Sequence, residues 1–201
     1  MSSIYHVCEP LILASASPRR QGYFQDLGLT YQVYAADIDE TSLPDEEPQA
    51  FARRMALEKA RAVMDLYSDS WVVAADTVVN LAGSVLGKPI NTEDAVSMLM
   101  RLSGKEHRVQ TGICLGCRRK NVLAAQAVTT HVVFRLFSEK VARAYAATGE
   151  PLDKAGAYGI QGKGAFLVKE ISGSYSNVVG LPLCELLAML EEYGVIAVSS
   201  V

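Results

Sequence analysis

The sequence predicts an α/β fold: a mixed sheet with flanking helices, arranged as two lobes. Three observations carry this reading. Short continuous apolar runs alternate with helix-patterned segments in the first half of the chain. Two long β-rich stretches joined by a polar turn occupy the middle. No internal repeat or linker divides the 201 residues. At roughly 150 residues per domain, the chain reads as one domain spanning 1–201, with two joined lobes rather than two independent units.

In chain order, Leu11-Ile12-Leu13-Ala14 is a buried strand, and Ser17 and Pro18 fit the N-cap and first position of a helix. Tyr23, Phe24 and Leu27 give that helix an apolar face, and Gly28 ends it. The acidic stretch Asp37, Asp39, Glu40, Asp45, Glu46 and Glu47, punctuated by Pro44 and Pro48, is a loop. A helix over about 49–67 puts Phe51, Met55, Ala62 and Leu66 on one stripe, with Lys59 as a lone cation within it. Trp71 to Ala75 is a second buried strand with Asp76-Thr77 at its end, and 78–86 is a hairpin around Ala82-Gly83.

Thr92 caps a helix bearing Val96, Leu99 and Met100, closed by Gly104. Residues 109–117 and 122–136 form a long antiparallel hairpin turned at Arg118-Arg119-Lys120-Asn121. Ser138 opens a helix to Thr148; a glycine-rich loop over 153–164 leads to a strand near 165–171. The last helix starts at Pro182, aligns Leu183, Leu186, Leu187 and Leu190, and ends at Gly194, leaving 195–201 as a frayed tail.

Composition bounds the function. Half the residues are apolar and mean hydropathy is +0.15, which excludes disorder and low-complexity fibre. Lys+Arg number 19 against 22 Asp+Glu, a net charge of −3, which argues against nucleic acid as partner. Any polyanion must meet a local cluster of cations, with a metal. No apolar run approaches the roughly 18–20 residues of a membrane span, and the first ten residues hold no Lys or Arg. The expected setting is cytoplasmic, with no membrane partner. Cys8, Cys114, Cys117 and Cys184 are too few and scattered for a disulfide framework.

Several residues could carry chemistry. Ser15, Ser17, Arg19 and Arg20 sit where a strand feeds a helix, so free N–H groups, hydroxyls and guanidinium forks meet there. The spacing suits an anion site and equally an ordinary capped helix with surface arginines. Asp76 follows an apolar strand, where a carboxylate can hold Mg²⁺ or poise a water, or serve as a turn residue. Lys59 either snorkels to solvent or meets a partner such as Asp76. Lys88 lies on a stiff loop between Gly87 and Pro89. Glu40 and Asp39 belong to a solvated face or complete a metal site with Asp76. The loop carrying Gln161 allows close backbone approach to a ligand, and its amide suits a nucleobase edge. Cys114-x-x-Cys117 lacks a second ligand pair and falls on opposite faces of a strand. His6, His107 and His131 form no ligand motif, so a serine triad has no base.

Together the motifs Ser15-Ala-Ser-Pro-Arg-Arg20, Glu58-Lys59-Ala60, Ala75-Asp76-Thr77-Val78-Val79, Gly87-Lys88-Pro89, the 153–164 loop and Ser174-Tyr-Ser-Asn-Val-Val-Gly-Leu-Pro-Leu183 resemble the Maf family of septum-formation-inhibitor-like proteins, over about 11–193. The resemblance implies an ITPase-like fold with a cleft between lobes, a divalent metal (Mg²⁺ or Mn²⁺) and a homodimer. It also implies a nucleoside triphosphate pyrophosphatase that cleaves between the α- and β-phosphates. The loop Asp153-Lys-Ala-Gly-Ala-Tyr-Gly-Ile-Gln-Gly162 is similar to the branch acting on dTTP and UTP rather than on 7-methyl-GTP. Arg20, Thr77 and Gln161 match positions linked to substrate choice. Gly87 departs from the pattern, where an acidic residue is common.

The expectation is water attack at the α-phosphorus, with Asp76 as base and, with Glu40, metal ligand. Lys59, Lys88 and Arg20 neutralise the phosphates; Ser15 and Arg19 help bind them; Thr77 and Gln161 read the base. The alternatives are a non-catalytic nucleotide-binding regulator of cell division, or a pyrophosphatase of other modified nucleotides.

Overall fold

The computed structural model describes residues 3–199. The chain runs β1 (Tyr5–Val7), β2 (Leu11–Leu13), α1 (Pro18–Asp26), β3 (Gln32–Val33), α2 (Pro48–Met64), β4 (Trp71–Leu81), β5 (Ser84–Leu86), α3 (Thr92–Leu102), β6 (Glu106–Cys117), β7 (Val122–Phe134), α4 (Glu139–Ala146), three short 3₁₀ segments between Glu150 and Leu167, β8 (Val168–Ser172), α5 (Tyr175–Val179), α6 (Leu183–Glu192) and β9 (Ile196–Val198). The main sheet is ordered β3-β2-β4-β6-β7-β8, with β5 added to β4. β3, β2 and β4 are parallel; β4, β6, β7 and β8 are antiparallel. This is the mixed α/β sheet with flanking helices that the sequence predicts.

The predicted end of β4 is corrected. Asp76 and Thr77 lie inside an eleven-residue strand, because β6 pairs with it continuously from Val72 to Asn80. A ladder supplied by a neighbour does not stop at a polar residue. The hairpin into β5 turns at Ala82 and Gly83, whose φ values of +50° and +89° suit a two-residue primed turn. The cap of α3 is Asn91 rather than Thr92; its side chain accepts from the Asp94 amide at 2.9 Å. Lys163 to Leu167 is 3₁₀, so β8 starts later than expected. The tail is corrected too: Ile196–Val198 pair antiparallel with β1, a strand the periodicity did not reveal. Residues 200 and 201 lie outside the described residues.

One face of β4 and β6 is covered by α2, through Ala56, Ala60, Val63 and Met64 against Val72, Ala74 and Cys114. The other face carries two clusters at opposite ends of the long strands. α1 and α6 pack over Val73, Ala75, Ile113 and Leu115. α3, α4 and the 3₁₀ segments pack over Val79, Val109 and Val132. Those two clusters are the lobes. Among the described residues no helix is long and apolar enough to cross a membrane.

Gly112 fixes how closely α2 approaches. A Cβ there would lie 2.1 Å from the Ala52 carbonyl oxygen and 2.6 Å from the Arg53 Cα. Backbone atoms of a packed helix cannot yield as a side-chain tip does. Gly112→Ala is expected to lower unfolding stability in urea by about 3 kcal/mol, at the upper end of overpacking costs; a loss under 1 kcal/mol would mean the helix slides freely.

His107 is buried between Phe134 and Tyr158, with Nε2 2.9 Å from the Tyr158 hydroxyl. Burial pushes its pKa down to about 4. The folded state therefore favours the neutral ring: its contribution is complete above pH 6.5 and is lost as pH falls toward 4. Relative to His107→Phe, the wild type should lose about 3 kcal/mol over that interval, read from denaturation midpoints at successive pH values.

Candidate active site

The cleft forms where the sheet is incomplete. β2 pairs with β4 only as far as Val73, and β5 rejoins β4 at Val79. Between them the β4 edge is open, and the chain leaving β2 turns there into α1. A cavity of about 1090 Å³ fills this gap. It is lined by Ser15, Arg19 and Arg20 from the β2–α1 junction, Glu40 from the acidic loop, Lys59 from α2, Asp76 and Thr77 from β4, Lys88 after β5, and Gln161 from the glycine-rich segment. Asp39 is not in the lining and instead accepts from the Thr41 amide and hydroxyl.

Alternation along β4 sends the adjacent Asp76 and Thr77 to opposite faces. Asp76 stands opposite Gly112, the residue against which α2 packs, so its carboxylate meets Lys59. Lys59 Nζ lies 2.7 Å from Asp76 Oδ1 and 2.6 Å from Glu40 Oε1. Lys59 and Asp76 are largely buried, at 12% and 15% side-chain exposure, whereas Glu40 is 59% exposed. Lys59 is thus a paired cation, not a snorkelling one. It engages one oxygen of each carboxylate, so the second oxygen of each is free of it.

The acidic loop is fastened by Arg54, which donates to both Glu46 oxygens at 2.7 Å, to Glu58 at 3.1 Å and to the Thr41 carbonyl at 3.0 Å. The Glu46 carboxyl is held below its ordinary range, chiefly by Arg54, and the Arg54 guanidinium above its own, chiefly by Glu46. Arg54 was not foreseen; its i,i+4 spacing to Glu58 was the available signal.

Thr77, on the other face, shares a 2.9 Å hydrogen bond with the buried Thr111 hydroxyl. Arg20 Nη2 donates to Thr77 at 3.1 Å, Nη1 to Ser15 at 3.1 Å and Nε to the Gly180 carbonyl at 2.8 Å. Burial lowers the Arg20 pKa, against the pull of Asp76 and Glu40, yet among the described residues no carboxylate pairs with it. Its charge therefore acts on the cleft. Ser15 Oγ also accepts from the Ser17 amide at 3.2 Å. Ser17 has N-cap dihedrals, but its own side chain caps nothing.

Arg19 is engaged: Nη1 donates to Asp153 Oδ2 at 2.8 Å, joining the start of α1 to the glycine-rich segment. Burial raises the Asp153 pKa, but Lys154 and Arg19 more than offset this. Lys88 is exposed at the rim. A Cβ at Gly87 would meet nothing within 4 Å, so space does not dictate that glycine. Cys114 and Cys117 are buried in different clusters, so they form no ligand pair, and burial pushes the Cys114 thiol up to about 12, away from the reactive thiolate. Among the described residues no group of three or more His, Cys, Asp or Glu is placed to hold a metal.

An open sheet edge flanked by cations from distant segments, beside two carboxylates on one ammonium, gives the cleft the charges that suit a small polyanion. Comparison makes this specific. Residues 10–193 match the family described as Maf-like protein, and the chain belongs to that family. It is 54% identical over 195 residues to the dTTP/UTP pyrophosphatase of Desulfotalea psychrophila, covering 97% of this chain and 100% of that one. It is 51% identical over 184 residues to the dTTP/UTP pyrophosphatase of Myxococcus xanthus, covering 92% of each. The fold is similar to that of the Staphylococcus aureus Ham1 protein, with a TM-score of 0.55 at 14% identity over 92% of this chain and 100% of that one. At that identity the likeness speaks for the fold alone.

Proposed function

We propose that this chain hydrolyses dTTP and UTP to the monophosphate and pyrophosphate. One observation carries the reading: Arg20, Lys59, Lys88, Asp76 and Gln161, far apart in sequence, line a single cleft. The similarity to relatives named dTTP/UTP pyrophosphatase supports the substrate assignment.

The donor set fits a divalent cation that arrives with substrate phosphates. Mg²⁺ is commonly held by one or two carboxylates plus phosphate oxygens, and Glu40 and Asp76 offer two carboxylates joined by Lys59. When bound, such an ion supplies charge neutralisation and Lewis acidity. Glu40 and Asp76 would hold it, as Mg²⁺ or Mn²⁺. Asp76 also orients the attacking water and accepts its proton as the oxygen adds to the α-phosphorus. The bond to the bridging oxygen breaks, and the charge of the departing pyrophosphate is met by Lys59, Lys88 and Arg20. Ser15 and the amides opening α1 bind phosphate oxygens, with Arg19 available once it leaves Asp153. Thr77 and Gln161 contact the base. The family resemblance further supports a homodimer as the working form.

A panel of dTTP, UTP, 7-methyl-GTP and dITP, assayed for pyrophosphate with and without Mg²⁺ or Mn²⁺, tests the reading. The expected outcome is metal-dependent turnover with the highest kcat/KM on dTTP and UTP. A different leading substrate reassigns the branch, and no product from any of the four favours a nucleotide-binding regulator. Asp76→Asn should lower kcat by about 10³-fold, within the usual range for losing a general base, while the far-UV circular dichroism stays native, although the melting temperature falls because Lys59 loses a partner. Near-normal pyrophosphate release by that variant would remove Asp76 from the chemistry.

A further inference from the structure

Gln161 is exposed, and among the described residues no hydrogen bond reaches its side chain. Its placement is set by the backbone that carries it. That backbone is gripped on both sides by two side chains that neither motif nor spacing identified. Glu150 Oε2 accepts from the Lys163 amide at 2.8 Å, and Oε1 from the Gly164 amide at 3.1 Å. The Tyr145 hydroxyl donates to Glu150 Oε1 at 2.8 Å and accepts from the Gly159 amide at 3.0 Å. Lys154 Nζ holds the Glu150 carbonyl at 2.7 Å.

The glycines of the segment record this grip. A Cβ at Gly162 would lie 2.6 Å from Glu150 Oε2, one at Gly164 2.4 Å from the Tyr145 hydroxyl oxygen, and one at Gly159 2.7 Å from Lys154 Cε. At Gly164 the Gly159 carbonyl oxygen would also lie 2.8 Å from a Cβ, so backbone bars a side chain there, whereas at Gly159 and Gly162 a side chain would have to push the clamp itself aside. These glycines serve close approach rather than flexibility.

We infer that Glu150 is a positioning residue for base recognition, holding the segment in the shape that presents Gln161 to the nucleobase. The inference rests on the base-reading role proposed above for Gln161. A carboxylate is required because three donors converge on its two oxygens. Burial alone would raise the Glu150 pKa, yet these hydrogen bonds and Lys154 hold it below its ordinary value. A glutamine of the same shape offers one acceptor oxygen and turns its amide protons against a backbone N–H.

The test is a double-mutant cycle of Glu150→Gln with Gln161→Ala, measuring kcat and KM for dTTP and GTP together with melting temperature. Glu150→Gln is expected to raise KM for dTTP by about 10-fold and to collapse the dTTP-over-GTP preference, with kcat changed less than about 3-fold. The double variant should be no less selective than Gln161→Ala alone, since the two act through one contact. Tyr145→Phe, which removes one arm of the grip, should move KM in the same direction by less, and stands in if Glu150→Gln does not fold. Additive losses of selectivity would overturn the inference. So would a fall in melting temperature or kcat with KM and selectivity unchanged. If Gln161→Ala leaves selectivity at the wild-type level, the base-reading role itself fails, and that single variant shows it.

Discussion

The site hangs on one ion-pair cluster: the Lys59 ammonium set between the Asp76 and Glu40 carboxylates. It joins a central strand, the helix that covers it and the acidic loop, and so brings three distant segments to one point. The helix that carries Lys59 packs its backbone directly over Gly112, opposite Asp76, where a side chain would collide with it. Partly buried charges are costly to strand without partners, so these groups hold one another in place. Arg54 supports the arrangement from behind by anchoring the loop that carries Glu40 to the same helix. The apolar packing of α2 on β4 is thereby converted into electrostatics at the cleft.

The second constraint is a missing strand neighbour. Because β2 pairs with β4 only as far as Val73 and β5 pairs with it only from Val79, the intervening β4 residues border open space, while β6 keeps their other edge paired. A continuous ladder gives rigidity, and the gap gives access. Adjacent residues then serve opposite faces: Asp76 meets Lys59, and Thr77 joins the polar set of Arg20, Thr111 and Gly180. The proposed chemistry and the proposed base reading are thus separated by a single peptide unit. The base-reading side is completed by a segment of another kind, glycine-rich and held by Glu150 and Tyr145 rather than by a sheet.

Most elements were legible because their signals are local. Apolar runs gave β2 and β4, the turn at 118–121 gave the β6–β7 hairpin, and Pro18 and Gly28 bounded α1. Failures came where a partner decides. β1, β3 and β9 are two or three residues long, too short for a periodicity, and exist because a neighbour pairs with them. The 195–199 segment reads as a tail for the same reason. β4 outruns its apolar stretch because β6 extends the ladder past Asp76.

The sequence by itself determined the α/β class, the family pattern and the residue types that can meet a polyanion, since these depend on local spacing and side-chain chemistry. Only the tertiary structure decided that Lys59 is paired rather than solvated, that Arg19 is engaged with Asp153, and that Glu150 grips the segment bearing Gln161. Those contacts join residues 13 to 134 positions apart. Which charges and amides meet over such separations depends on how helices seat on the sheet, and a linear pattern does not encode that seating.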